Sequence, residues 1–363
     1  MSRPAGPPRL AVLCDFPAEG WPSMDLVADQ LLAHLPGAAG VSPPFVRLAS
    51  RLSARGFNPD RLLNRWAVYP LYLARVRRRF ERFHVADHSY AHLVHHLPAG
   101  HTGVYCHDLD AFRCLLDPAA DPRPGWFRAL ARRTLWGMQR AAVVFHSTSP
   151  VRAEIERHAL VDPARLVHAP YGVAAEFAPD GPAPGWVPAA GPWLLHVGSC
   201  IPRKRIDVLL DVVAVVRRSV PGVRLVKVGG DWSPAQREQL ARLGLADAVV
   251  HVRDVPRAEL AGAYRRAGAV LVTSEAEGFG LPVIEALACG GPVVASDLPV
   301  LREVGGDAVT YCPVGDVPAW AAAVGRVLAG DAPAREARLQ QAARYSWAEH
   351  ARIIGDAYRR LAA

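Results

Sequence analysis

Lysine is nearly missing from this chain. Lys204 and Lys227 are the only two in 363 residues, so the formal net charge of +8 rests almost wholly on arginine. With heavy alanine and proline use, that bias points to a GC-rich bacterial genome more than to a binding partner. No apolar run reaches the roughly eighteen residues that a membrane-spanning helix needs. The opening stretch MSRPAGPPRLAVLCDF has no apolar leader core ahead of its first strand, so a cytoplasmic protein is expected. The six cysteines show no paired, metal-type spacing, and reduced, buried thiols are the default for them. Aromatic residues do not interleave with the arginines as single-strand binding requires, which argues against a nucleic-acid protein. There is no G-x-G-x-x-G after the first strand, against a dinucleotide-dependent dehydrogenase, and no internal repeat, against a solenoid.

What is present is alternation. Short apolar runs at residues 10–14, 45–49, 103–106, 141–147, 165–173, 193–197, 223–228, 248–252, 269–272 and 292–295 are separated by helix-length amphipathic segments. That is the pattern of parallel sheets covered by crossover helices. The length suits two domains, each able to bury its own core, and the Pro- and Gly-dense stretch 179–192 is the natural linker. Residues 24–35 and those from 206 onward form helices, and residues 71–83, LYLARVRRRFERF, form a basic amphipathic one carrying Arg75, Arg77, Arg78, Arg79 and Arg82. That helix is either an interfacial element for anionic lipid or a solvated face.

The most informative stretch is VLVTSEAEGFGLPVIEALACGGPVVAS from Val270. It reads as strand, glycine-containing loop, helix opening at Pro282 and closing at Gly290 and Gly291, then a second strand. The backbone amides of Gly278, Phe279, Gly280 and Leu281 therefore sit at a helix N-terminus, where unpaired donors and partial positive charge suit phosphate or clustered hydroxyls. Glu277 and Glu285 flank it, eight positions apart. Carboxylates repel phosphate and accept from sugar or ribose hydroxyls. Amides for phosphate and carboxylates for hydroxyls describe a sugar-nucleotide site. The plain alternative is an ordinary strand-loop-helix unit with two surface glutamates.

The string EGFGLPVIEALACGGPVVASDLPVLREVGGDAVTY resembles the Glu-x7-Glu signature of the retaining GT-B glycosyltransferases of family four. The resemblance implies an α/β fold of GT-B type: two Rossmann-like parallel-sheet domains facing across a cleft that closes on the donor. Residues 1–180 would be the acceptor-side domain and 181–345 the nucleotide-sugar domain, with residues 346–363 a helix returning to the first. The implied reaction is metal-independent transfer of a hexose from a nucleotide-diphosphate sugar, with retention, to a carbohydrate, lipid-linked or small-molecule acceptor. A GT-B epimerase or phosphorylase and an inactive nucleotide-sugar-binding homologue stay open as alternatives.

Particular residues inherit roles by the same resemblance. Gly198 and Ser199 begin the loop Gly-Ser-x-x-Pro-Arg-Lys, from which Arg203 and Lys204 clamp the pyrophosphate, with Arg205 in reserve. Glu285 holds the ribose, Glu277 with the Phe279 and Gly280 amides holds the donor sugar, and Arg253 neighbours the base. The form of that loop points to GDP-mannose, with a UDP-sugar as the other donor and no further cofactor. His107, after the third strand and before Asp108, matches the histidine that bonds the donor sugar; a helix-capping role is the other reading. Glu19, Gly20, Trp21 and Ser23 follow the first strand and fall on the acceptor side. His88, His92, His95 and His96 recur at helical spacing and are read as the polar face of a helix beside the cleft rather than a metal site. The Asp108-Leu109-Asp110 triplet spells a metal-chelating motif of another glycosyltransferase fold, and the two-domain pattern does not suit that fold. Peripheral contact with the inner face of a membrane would fall to Arg75–Arg82.

Overall fold

A computed structural model describes residues 9–48, 59–98, 100–189 and 191–361. The chain divides into two units: Met1–Tyr171 with Trp347–Ala363, and Gly172–Ser346. Each is built on one six-stranded, wholly parallel sheet. Residues of parallel strands with helices on both faces have no solvent side, so the strands read as continuous apolar runs.

In unit 1 the strands are β1 (Leu10–Leu13), β2 (Ala38–Val41), β3 (Arg82–Val85), β4 (Thr102–Cys106), β5 (Val143–His146) and β6 (Leu166–His168). Their order is β2-β1-β3-β4-β5-β6. The chain runs outward from β1 to β2 and then places β3 on the other flank of β1. The gap between the carboxyl ends of β1 and β3 is therefore a topological switch point, where open α/β sheets take ligands. Unit 2 holds β7 (Trp193–Val197), β8 (Arg224–Val228), β9 (Val249–Val252), β10 (Ala269–Val272), β11 (Val293–Ser296) and β12 (Thr310–Cys312). Its order is β12-β11-β10-β7-β8-β9, with the switch between β7 and β10.

Three expectations change. The second strand is Ala38–Val41, not residues 45–49; residues 42–48 form no strand, and Ala49 lies outside the described residues. The backbone at 46 is paired instead by a side chain: Val46 N–H donates to Asn64 Oδ1 at 2.8 Å, and Asn64 Nδ2 donates back to the Val46 carbonyl at 2.7 Å. The basic helix is shorter than residues 71–83. It spans Tyr69–Val76, a single tight turn covers Arg77–Arg79, and Arg82–Val85 is a central strand. Phe83 and Val85 are fully buried in that strand, and Arg82 is buried too, its Nη1 donating to the Glu81 carbonyl at 3.0 Å. Arg75, Arg77, Arg78 and Arg79 remain exposed.

The Pro- and Gly-rich stretch is the third. Its first part is docked on unit 2: Arg265 donates to the Ala178 and Pro182 carbonyls, Trp186 Nε1 donates to Glu259 at 2.6 Å, and Gly262 lies directly under Pro182 and Pro184. The chain passes between units at 171–172 and again at 346–347. The closing helix Trp347–Arg360 belongs to unit 1, where Tyr358 Oη donates to the Phe83 carbonyl at 2.8 Å and His350 Nδ1 faces the Ala169 and Pro170 carbonyls.

Candidate functional site

Two loops meet at the switch point of unit 2. The first follows β7, from Gly198 through the turn Pro202–Lys204; the second follows β10, from Thr273 to Gly280. Backbone and side-chain bonds lock them together: Glu275 N–H donates to the Arg203 carbonyl at 2.8 Å and Thr273 Oγ1 donates to the Lys204 carbonyl at 2.9 Å. Across this seam Lys204 Nζ reaches Glu277 Oε1 at 2.5 Å. Arg203 Nη1 stands 3.9 Å from the other Glu277 oxygen, and Ser274 Oγ donates to Glu277 at 2.7 Å. Burial alone would push the Glu277 carboxyl up. The Lys204 and Arg203 charges outweigh it and hold the group below its ordinary value, so it is ionised.

The helix Leu281–Ala288 begins where the second loop ends, with Leu281 and Pro282 as its first two residues rather than Pro282 opening it. Gly280 caps it at φ +100°, a conformation that favours glycine, and a Cβ there would lie 2.6 Å from the end of the Leu301 side chain, which would have to move. Val283 N–H closes the first turn onto the Gly280 carbonyl at 2.9 Å, and Leu281 N–H, ahead of it, has no acceptor within the helix. Phe279 is buried edge-on against Tyr345, which fixes the loop from behind.

Glu285, about one turn in, is buried and accepts from Tyr264 Oη at 3.0 Å. Burial, only partly offset by that hydrogen bond, lifts its carboxyl from 4.5 to about 7. The two glutamates of the motif are thus driven in opposite directions: Glu277 is ionised by its cations, while Glu285 is pushed toward its neutral form. Arg205 is taken up by Asp207 and Glu275, and Arg253 is an exposed partner of Asp231 at 2.7 Å.

In unit 1, His107 follows β4 and is buried. Nε2 donates to the Ala86 carbonyl at 2.8 Å, leaving Nδ1 as the acceptor for the Tyr171 hydroxyl. Burial holds the ring down to about 4, so it is neutral. The carboxyl ends of β1 and β3 bring Asp15 and Asp87 together. Asp87 accepts from Ser89 N–H at 2.8 Å and Ser89 Oγ at 2.7 Å, and His88 Nδ1 lies 3.2 Å away. Burial and then the Asp87 charge push Asp15 well above the ordinary carboxylate range, while, against burial, His88 and the Ser89 amide hold Asp87 below it.

Of the four histidines expected on the polar face of one helix, His88 and His92 are buried: His92 stacks on Trp66 at 4.2 Å and its Nε2 donates to the Arg65 carbonyl at 2.7 Å. Glu19 is committed to Arg61 and Arg65, the nearer of which lies over the Tyr90 ring at 4.0 Å. Gly20 is left-handed at φ +71°, Trp21 is 44% exposed and Ser23 is exposed at the start of the helix Pro22–His34.

Sequence reasoning passed over Lys227, Tyr264, Tyr171 and the Asp15–Asp87 pair. Lys227 left a signal, a lone charge inside the apolar run RLVKV of a lysine-poor chain. The others left none, because their partners lie 21 to 72 positions away.

Two parallel-sheet units and a cation–carboxylate seam at a nucleotide-type switch point define a GT-B architecture, and solved structures of that architecture superpose on the chain. Sucrose-phosphate synthase from Thermosynechococcus elongatus matches with a TM-score of 0.72 at 21% identity over 97% of this chain and 99% of that one. Anabaena HepE, solved with UDP and glucose, matches with a TM-score of 0.74 at 15% identity over 96% and 98%. Residues 188–345 match the family described as Glycosyl transferases group 1. Among curated relatives, D-inositol 3-phosphate glycosyltransferase of Kineococcus radiotolerans is 36% identical over 244 residues, 57% of this chain and 55% of the relative. That of Segniliparus rotundus is 40% identical over 161 residues, 42% and 36% respectively. The aligned region thus spans about half or less of these relatives' own length.

Proposed function

We propose that the chain transfers a hexose-type sugar from a nucleoside-diphosphate sugar to an acceptor hydroxyl, with retention of anomeric configuration and without a metal. The observation that carries this reading is the Lys204–Glu277 seam at the head of a helix N-terminus. Departure of a diphosphate builds negative charge on its bridging oxygen while the sugar gains oxocarbenium character. Preorganised cations and amides stabilise that charge because they need not reorganise as it forms. Arg203, Lys204 and the Gly280 and Leu281 amides meet the diphosphate; Gly198 and Ser199 line its loop. Lys204 exchanges its carboxylate for phosphate when the donor arrives, and this frees Glu277, with Gly278 and the Phe279 amide, for sugar hydroxyls. Glu285 takes the ribose, and Arg253 lies beside the base. No side chain is assigned as nucleophile, and the departing phosphate takes the acceptor's proton.

His107 joins the reaction only if Tyr171 releases Nδ1, the sole ring position that can then accept from a sugar hydroxyl. Because Glu19 is already held by two arginines, Trp21 and Ser23, next to Gly20, are the side chains left to meet an acceptor. The loop Gly-Ser-x-x-Pro-Arg-Lys favours GDP-mannose, and a UDP-sugar is the competing donor. Peripheral contact with an anionic membrane through Arg75, Arg77, Arg78 and Arg79 is supported by their exposure and by Leu71, 61% exposed on the helix that carries Arg75. The exposed Trp126 and Trp136, on a helix with no acidic residue, support it further. Arg82 is buried and has no part in that contact.

Thermal stabilisation by a panel of nucleotide sugars tests the donor assignment, since a ligand at 100 times its Kd adds roughly 2.7 kcal/mol to folding. Slow donor hydrolysis without acceptor is the accompanying sign of chemistry. A panel that shifts no melting transition refutes the reading, and stabilisation without hydrolysis or transfer marks a binding homologue.

A further inference from the structure

Lys227 is fully buried, in the middle of β8, yet its side chain ends in a charge. Its ammonium donates to the Gly198 carbonyl at 2.7 Å, to the Val228 carbonyl at 3.1 Å and to the Gly229 carbonyl. Val228 ends β8, and Gly198 and Gly229 open the two loops that leave β7 and β8 side by side. The loops touch: a Cβ on Gly230 would stand 2.8 Å from Ser199 Cα and 2.6 Å from Cys200 N. Gly198 (φ +149°), Gly229 (φ +79°) and Gly230 (φ +59°) all occupy conformations that favour glycine. Gly229 N–H is paired with the Val252 carbonyl at 2.9 Å and Gly198 N–H with the Val228 carbonyl at 3.0 Å.

A trans peptide points its C=O and the following N–H in opposite directions. With the Gly198 and Gly229 carbonyls turned toward the ammonium, the amides of Ser199 and Gly230 must point away from it. Neither donates to a protein acceptor among the described residues. We propose that Lys227 is a positioning residue: by drawing these two carbonyls onto its ammonium it presents the adjacent Ser199 and Gly230 amides as a paired donor nest for a diphosphate. The proposal rests on the reading that this loop receives a nucleoside diphosphate. It adds to Arg203 and Lys204 a second anion-binding element with no charged side chain of its own.

The nest is held by a charge that can be titrated. Burial, opposed by the neighbouring Cys200 thiol, brings the Lys227 ammonium down from 10.5 to about 8. The groups facing it are Cys200 and Lys204 from the loop after β7, His196 from β7 and, beyond Gly230, Asp231 and His251 of the β8 and β9 ends. His196 is held neutral throughout, and Cys200 is raised. The diphosphate itself is fully ionised above about pH 7, since a terminal phosphate loses its second proton near 6. When Lys227 loses its proton, one lone pair replaces a donor and the carbonyls are no longer drawn in.

Calorimetric titration of the whole chain with UDP and GDP, at about pH 7 and about pH 9.5, tests this. The expected result is an affinity for the better nucleotide that falls about tenfold across the interval, the loss of one or two charge-oriented bonds. Lys227→Met should bind at the weakened level at both pH values, Lys227→Arg should bind more tightly than Lys227→Met and show no drop, and Cys200→Ser should keep the wild-type drop. A wild-type affinity that is level across the interval, or the same drop in Lys227→Met, overturns the proposal. Should Lys227→Met fail to fold, Lys227→Arg decides it: a drop as large as the wild type's overturns the proposal. Failure of both nucleotides to bind at about pH 7 refutes the donor reading instead.

Discussion

Replacing Glu285 by glutamine isolates the cost of holding a carboxylate where Tyr264 and the helix interior surround it. The carboxyl is raised from 4.5 to about 7 in the fold. At 1.36 kcal/mol for each tenfold change in ionisation, that is about 3 kcal/mol. Because the folded value lies above the unfolded one, the contribution is fully present below about pH 4.5 and is lost as pH rises through about 7. Glutamine keeps an oxygen for the Tyr264 hydroxyl and has no proton to lose. Glu285→Gln should therefore lie within about 1 kcal/mol of the wild type at about pH 5 and be about 3 kcal/mol more stable at about pH 8.5. Urea unfolding at both pH values, followed by far-ultraviolet circular dichroism, measures this. Taking the mutant-minus-wild-type difference cancels the histidines that titrate over the same range. A difference that does not change with pH, or a mutant less stable at the higher one, refutes the reasoning. The same substitution should weaken nucleotide-sugar binding, so stability and affinity move in opposite directions.

Other perturbations follow from the same geometry. Lys204→Ala strands Glu277 in a buried site and should cost about 3 kcal/mol of stability along with most diphosphate affinity; restored stability in the Lys204→Ala, Glu277→Gln double variant is the check. Gly280→Ala should lose more than about 1 kcal/mol, from positive φ and from the Leu301 contact, measurable by thermal unfolding. In unit 1, His84, His92, His107, His146 and His350 are each held by burial to about 3 or 4, so an unfolded chain binds protons that the folded one refuses. Stability of unit 1 should fall by several kcal/mol between about pH 6.5 and about pH 4, seen as a drop in the urea midpoint. Chelator should leave transfer intact, and abolition reversed by added metal would contradict the proposed chemistry.

The amino-acid sequence alone determined the alternation of strand and helix, and with it the sheets, because continuous apolar runs bounded by glycine and proline have few other stable arrangements. It also marked the two loops at the switch point of unit 2: the cluster at Arg203 and Lys204 and the glutamates of the E-G-F-G-L-P stretch are local patterns whose geometry follows from one turn and one helix start. What it did not determine are features that depend on distant partners. β3 is hidden in an arginine-rich run because only packing between β1 and β4 makes Arg82–Val85 a strand. Asn64 satisfies a backbone that periodicity assigns to a ladder. Only the tertiary structure decided the charge states of the site, since burial depth and the identity of the group opposite set each one: Glu285 against Tyr264, His107 against Tyr171, Asp15 beside Asp87. A carboxyl or an imidazole has one ordinary pKa in the sequence, and it acquires its working value from neighbours that the chain brings in from elsewhere.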